Sequence, residues 1–300
     1  MSVVVVGSAN VDLFVRGQRL PEPGETVFAD TYDELPGGKG LNQAVAAARA
    51  GAEVAFFCAV GKDSGADFLA DFLGTEPLTL SATVTSSPTG RAIIQVDAKA
   101  ENSIMVVGGA NLAAESFGGS DFESRITKAS HVVLQQEVSL ALNLQAAKLA
   151  RDAGALVVLT PAPAENTSNE LLELVDILLL NEHEARIVAG MDNSAEAARS
   201  LSANRTVVLT QGAAGATLFS QGAHVGSVNA PKVESIDTTG AGDCLAGNFV
   251  AHRDAGAEDL DALDAACRAA SESVKTAGAA TAMPHHAVPL PTQSDDTKDL

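Results

Sequence analysis

Basic residues are scarce. Nineteen Lys and Arg against 38 Asp and Glu leave a formal net charge of −19 over 300 residues. A broad nucleic-acid or anionic-membrane surface is excluded, because both partners are polyanions held by clustered Lys and Arg. A small anionic ligand is not, since a few local donors suffice for it. Cysteine is equally sparse: Cys58, Cys244 and Cys267 form neither a CxxC pair nor an even framework. No disulfide scaffold is expected, and a reducing, cytoplasmic compartment is. The N-terminus Met1-Ser2-Val3-Val4-Val5-Val6-Gly7 lacks a basic leader, and no run approaches the roughly 18 apolar residues of a membrane span, so neither a signal peptide nor a span is predicted.

Several motifs are missing as well. No Gly, four residues, then Gly-Lys-Ser/Thr occurs, so there is no Walker A loop. No Gly-x-Gly-x-x-Gly follows the first apolar run, which removes the support for a nicotinamide-dependent oxidoreductase. A Gly-x-Ser-x-Gly elbow is absent, and serine hydrolysis goes with it. His183 lacks the second histidine of a zincin, and His285-His286 is an isolated pair; both read as surface positions without a metal.

What is present is apolar and periodic. With 46% hydrophobic residues, the chain can bury a large core unaided. Val3–Val6, Val54–Val60, His131–Leu134, Ala155–Leu159, Asp176–Leu180 and Thr206–Leu209 are short continuous apolar runs, the pattern of strands buried on both faces of a parallel sheet. Helical stretches alternate with them, Leu41–Ala50 stopping at Gly51, Leu140–Asp152 at Gly154, and Ser194–Ser202. The expectation is a doubly wound, mostly parallel α/β sheet with helices on both faces, its ligands beyond the carboxyl ends of the strands. Two segments, 13–35 and 90–107, alternate instead and read as an antiparallel β excursion from a core made of 1–12, 36–89 and 108–300. The polar tail after Pro289 is expected to fray.

Two glycine-rich stretches open helices. In Asp237-Thr238-Thr239-Gly240-Ala241-Gly242-Asp243-Cys244, the glycines admit a ligand to the backbone and the first helical N–H groups can bind an anion. An acid at that point is counterproductive for anion binding alone. It makes sense if Asp243 takes a proton from a hydroxyl whose acceptance of a phosphoryl group the amides then stabilise. The plainer alternative is Asp243 as a helix cap on a glycine turn. In Pro36-Gly37-Gly38-Lys39-Gly40-Leu41-Asn42-Gln43, Lys39 and Asn42 offer donors to hydroxyl oxygens; by itself this stretch reads as a turn about as readily as a site. Asn10 and Asp12 share a face after the first strand, an amide and a carboxylate suited to a polyol. Glu137, Asn181, Glu184, Thr210 and Gly212 each follow a predicted strand, describing one rim.

These motifs resemble the ribokinase branch of the PfkB carbohydrate kinase family. Gly37-Gly38-Lys39-Gly40-Leu41-Asn42-Gln43-Ala44 is similar to its first signature and Asp237–Asp243 to its second. Thr160-Pro161-Ala162-Pro163-Ala164 and Asn181-Glu182-His183-Glu184-Ala185 lie between them in matching order, and the likeness runs from Asn10 to about Pro284. The resemblance implies ATP-dependent phosphorylation of a sugar's primary hydroxyl, with the 5-hydroxyl of D-ribose as the expected acceptor. By position, Asn10, Asp12, Gly38, Lys39, Asn42, Glu137 and Asp243 would hold the sugar. Asp243 would be the general base, and Gly240, Ala241 and Gly242 the anion hole. Asn181, Thr210, Gly212, Gly242 and Cys267 would line the nucleotide, with Glu184 placing Mg²⁺ through water. A K⁺ site would use Asp237, Thr239, Ser273, Thr276 and Gly278. The β excursion would be a lid that pairs with a second copy in a homodimer. The chain departs from the pattern at Ala282, where a serine often completes the K⁺ shell, and at Cys267, where Asn or His is frequent near adenine. Acceptors such as deoxyribose, fructose or a nucleoside, or a sugar- or nucleotide-binding regulator without activity, are the competing readings. An intact Asp243 argues against the last.

Overall fold

The structure is a computed structural model that describes residues 2–99 and 101–285; the tail after Pro289 and His286 lie outside these. Thirteen strands occur among the described residues: β1 (Ser2–Val6), β2 (Asn10–Arg16), β3 (Thr31–Gly37), β4 (Glu53–Val60), β5 (Leu78–Val84), β6 (Gly90–Val96), β7 (Asn102–Val107), β8 (His131–Gln135), β9 (Leu156–Thr160), β10 (Ile177–Asn181), β11 (Thr206–Thr210), β12 (Ala216–Ser220) and β13 (Ala223–Val228). Nine form one sheet in the order β13-β12-β11-β10-β9-β8-β1-β4-β5, parallel from β11 to β5, and the expected α/β class is borne out. Val3 and Val5 pack on one face with Phe56 and Phe249, whereas Val4 and Val6 pack on the other with Phe57, Phe122 and Leu142. Burial on both faces is why these strands read as unbroken apolar runs. The antiparallel edge β12-β13 escaped the sequence reading: β13 is mostly exposed and carries no apolar run.

The other four strands make a separate sheet, β3-β2-β6-β7. Its outer pairs are antiparallel, but the central pair β2–β6 is parallel, so the ribbon is mixed rather than antiparallel throughout. Both central strands leave the core at the same level, Asn10 beside Gly90, and run outward together. The alternation at Thr26–Ala29 does not form strand; Phe28 there is 97% exposed, with no sheet face to pack against, and pairing begins at Thr31.

From the central β1 the chain winds outward through β4 and β5, then returns to β8 and winds the other way to β11. The reversal leaves a crevice at the carboxyl ends of β1 and β8, where a doubly wound sheet binds its ligands. Over it cross the helices Lys39–Arg49 and Ala241–Asp254. Their approach is set by Gly247: a Cβ there would stand 2.6 Å from Cβ of Ala46 and 2.6 Å from the Gln43 carbonyl oxygen. Gly247→Ala is therefore expected to lower stability by about 1–3 kcal/mol through overpacking and to reduce turnover by moving the two helix starts apart. Urea unfolding with parallel kinetics checks this, and a variant unchanged in both contradicts it.

Candidate functional site

Two helix starts face each other across the crevice. Gly38 (φ 90°) turns the end of β3 into the Lys39–Arg49 helix, and Gly240 (φ 75°) opens the Ala241–Asp254 helix; both use left-handed backbone that glycine adopts freely. Asp243, in the first turn, is 6% exposed. Asn42 Nδ2 donates to its Oδ2 at 3.0 Å and Gln43 Nε2 to its Oδ1 at 2.9 Å. Asp243 is thus joined by side chains from the facing helix and is not a cap: the cap residue, Gly240, has no side chain to offer. The Ala241 N–H donates to the Thr238 carbonyl at 3.2 Å and the Cys244 N–H to the Gly240 carbonyl at 2.8 Å. Between them, the amides of Gly242 and Asp243 lie in the first turn, where no carbonyl of the helix can accept them.

One cation serves four acids. The Lys39 ammonium is held above the ordinary lysine range, chiefly by the charge of Asp243, against burial and with Glu137, Glu184 and Asp12 assisting. Burial pushes the Asp243 carboxyl up, and Lys39, Asn42 and Gln43 oppose that rise. A buried carboxylate of raised proton affinity is suited to act as a base.

Beyond Asp243 lies a pocket of mixed donors and acceptors. Asp12 Oδ1 and Asn42 Oδ1 are buried without a partner among the described residues. Glu137 accepts from the Ser8 hydroxyl at 2.7 Å and from the Lys39 amide at 3.1 Å, and Asn111 Nδ2 donates to Asn10 Oδ1 at 2.8 Å. Asp12 stands so close to the end of β3 that a Cβ on Gly37 would overlap its carboxylate. Its carboxyl is pushed up to about 7 by burial, then by the charges of Glu137 and Asp243, with Lys39 opposing. Unpartnered buried acceptors are unfavourable unless something donates to them, and hydroxyls do so.

On the other side, a cavity of about 330 Å³ is lined by Thr210, Gly212, Cys267, Thr238, Ala241 and Gly242 among others. A second, of about 200 Å³, is lined by Lys39, Asn181, Glu184 and Asp243, and it shares Thr210, Thr238, Ala241 and Gly242 with the first. The two form one groove leading to Asp243. Asn181 and Glu184 make a capping box at the groove: the Glu184 N–H donates to Asn181 Oδ1 and the Asn181 N–H to Glu184 Oε2, both at 2.9 Å. This leaves Glu184 Oε1 outside that pair. Burial raises the Glu184 carboxyl, opposed by the Asn181 amide and by Lys39. Burial also pushes the Cys267 thiol up to about 12, so it presents an uncharged wall.

Asp237 accepts from the Thr239 N–H (2.9 Å), the Thr239 hydroxyl (2.6 Å) and the Gly278 N–H (2.9 Å). Burial pushes its carboxyl up, but these donors outweigh it and hold the group below the usual carboxylate range. Three residues expected to share a K⁺ site, Asp237, Thr239 and Gly278, are therefore brought together. The Ser273 hydroxyl turns into its own helix, donating to the Ala270 carbonyl at 2.9 Å, while its carbonyl accepts from Thr276 N–H at 3.3 Å. Ser273 thus meets Thr276 through its backbone and not through its hydroxyl.

The structure adds Ser8, Gln43, Gln135 and Asn111, to which the sequence reading gave no role of their own. Ser8 directly follows Gly7 after β1, and Asn111 lies two residues past Gly108-Gly109, so a polar residue near glycine was the available signal for both. Gln135 carried none.

A family model described as pfkB family carbohydrate kinase matches residues 1–286. The ribokinase of Staphylococcus aureus is 36% identical over 293 residues, spanning 94% of this chain and 96% of that protein. The ribokinase of Haemophilus influenzae is 37% identical over 258 residues, spanning 83% and 84%. Arabidopsis thaliana ribokinase complexed with ribose and ATP superposes with a TM-score of 0.85 at 33% identity, covering 94% of this chain and 95% of that one.

Asp12 yields a pH-dependent outcome. A carboxyl raised to about 7 holds its proton in the folded state where the unfolded chain releases it. Its burial therefore destabilises the protein fully above pH 7, and the effect is relieved as pH falls from 7 toward 4. Asp12→Asn is expected to raise the melting temperature most at pH 8, with the gain shrinking toward pH 5, while sugar binding weakens. A gain independent of pH contradicts this.

Proposed function

The chain belongs to the pfkB family of carbohydrate kinases and is a sugar kinase, and we propose that it transfers the γ-phosphoryl group of ATP to the 5-hydroxyl of D-ribose. The observation that carries the reading is the position of Asp243. It sits at a helix start between a groove of nucleotide dimensions and a pocket whose buried acceptors lack donors. Relatives named ribokinase over most of the chain support ribose over deoxyribose, fructose or a nucleoside.

In this reading the sugar hydroxyls donate to Asp12 Oδ1 and Asn42 Oδ1, with Asn10, Gly38, Lys39 and Glu137 completing the pocket. Asp243 accepts the proton of the reacting hydroxyl as its oxygen bonds to phosphorus and the bond to ADP breaks. The Gly242 and Asp243 amides, with Gly240 beside them, stabilise charge on the transferring group, and Lys39 adds a positive charge at the same place. Ala241 contributes less, its N–H being turned to Thr238. Thr210, Gly212, Asn181 and Cys267 line the nucleotide. An acidic Glu184 with Oε1 outside its capping pair fits a hydrated Mg²⁺, which when bound neutralises phosphate charge. Asp237, oriented by Thr239 and Gly278, fits a K⁺ site beside the Gly240 loop, completed by carbonyls of the 273–278 segment.

The small sheet, built largely from segments 13–35 and 90–107, acts as a lid over the sugar. Its exposed Tyr32, Ile104, Met105 and Val106 suit pairing with a second copy in a homodimer. Among the described residues no helix is long and apolar enough to cross a membrane, and the three cysteines are free and buried, in keeping with a cytoplasmic enzyme.

A coupled ADP-release assay over pentoses, hexoses and nucleosides, with and without K⁺, tests the reading. The expected result is turnover highest with D-ribose, lower with 2-deoxyribose and stimulated by K⁺. Preference for a hexose or nucleoside overturns the choice of acceptor, and no turnover on any of them favours a binding protein.

A further inference from the structure

Asp243 is the end of a hydrogen-bonded chain that runs through the facing helix to the carboxyl end of β8. Gln43 and Gln135 are both fully buried. Gln43 Nε2 donates to Asp243 Oδ1 at 2.9 Å and to Thr160 Oγ1, on β9, at 3.3 Å. Gln135 Nε2, from the end of β8, donates to Gln43 Oε1 at 2.7 Å. The polarity of this chain is dictated from one end. An ionised carboxylate only accepts, so Gln43 must turn its amide nitrogen to Asp243 and its oxygen to Gln135, which must then donate.

The far end shows the consequence. Gln135 Oε1 is buried with no donor among the described residues, pressed against Gly7, where an added Cβ would stand only 1.9 Å from it. A buried acceptor left unpaired is destabilising. The unpaired oxygen is explained if the Gln135 N–H is needed at Gln43. We propose that Gln43 and Gln135 are positioning residues for the base, a two-amide relay that locks the Asp243 carboxyl in one orientation toward the acceptor hydroxyl. The relay rests on the assignment of Asp243 as base. It goes beyond the sugar and nucleotide contacts, since Gln135 reaches the reacting atoms only through two other side chains.

The test compares Gln43→Leu and Gln135→Leu in the wild-type and Asp243→Ala backgrounds, measuring kcat, both KM values and the melting temperature, with high enzyme concentration for the slow variants. In the wild-type background kcat is expected to fall about 10- to 100-fold for Gln43→Leu, as loss of a bond to a charged group implies, and about 3- to 10-fold for Gln135→Leu, as loss of a neutral bond implies. KM for ribose and ATP should stay within about twofold, and the melting temperature of Gln135→Leu should stay close to wild type, because it removes one unpaired acceptor, Gln135 Oε1, and leaves another, Gln43 Oε1. In the Asp243→Ala background neither substitution should lower kcat further, because residues acting through the base lose their effect with it. Equal proportional losses in both backgrounds, or a change in KM without one in kcat, overturn the relay while leaving Asp243 as base. A normal kcat for Asp243→Ala itself overturns the base assignment and the relay with it. If Gln135→Leu does not fold, Gln135→Met, close in volume, gives the same comparison.

Discussion

The crossing of the Lys39–Arg49 and Ala241–Asp254 helices is the contact on which the site depends. At Gly247 the two backbones approach so closely that a methyl group would overlap both Ala46 and the Gln43 carbonyl. That proximity puts Asn42 and Gln43 of one helix within hydrogen-bonding distance of Asp243 on the other. It also places Lys39 where the charge of Asp243 dominates its environment. One helix thereby supplies the amide-bearing turn and Asp243, and the other supplies the side chains that hold Asp243 and that, in the proposed function, meet the sugar. The sheet beneath contributes the reversal between β1 and β8 that leaves room for a substrate.

Electrostatics inside the crevice bear little relation to the charge of the whole chain. A net charge of −19 looks hostile to phosphate, yet the donors at this site are largely backbone amides at a helix start together with Lys39. Amides do not enter a count of Lys and Arg. Around that single ammonium stand Asp12, Glu137, Glu184 and Asp243. Burial first, and then the charges of Glu137 and Asp243, raise the Asp12 carboxyl to about 7, and in the proposed function Glu184 would give a hydrated cation its place. Acidity in this crevice is a working property, whereas elsewhere on the surface it bears on solubility.

Much of this was legible before the fold was known, and for identifiable reasons. Strands buried on two faces announce themselves as continuous apolar runs, so β1, β4 and β8 to β11 were found within a residue or two. Glycines at 37, 38, 40 and 240 mark both helix starts because the backbone there needs positive φ or close approach, whereas Gly242 has open space beside it. What escaped lay in pairings distant along the chain. Gln135 meets Gln43 across 92 residues and Asn111 meets Asn10 across 101, and neither carries a local pattern that separates it from any buried amide. The edge hairpin β12-β13 and the parallel pairing of β2 with β6 were hidden for a related reason: both depend on which strands the topology makes neighbours. Thr26–Ala29 alternates like a strand but has no sheet face to lie on.

The account turns on Asp243 removing a proton rather than holding the sugar in place, and Asp243→Asn separates the two. Titration calorimetry with D-ribose and with ATP, alongside steady-state turnover, is the direct measurement. Binding within a few-fold of wild type, with kcat lowered by roughly 10²–10⁴, is the result predicted. Turnover close to wild type, or loss of sugar binding sufficient to explain the loss of activity, would contradict it.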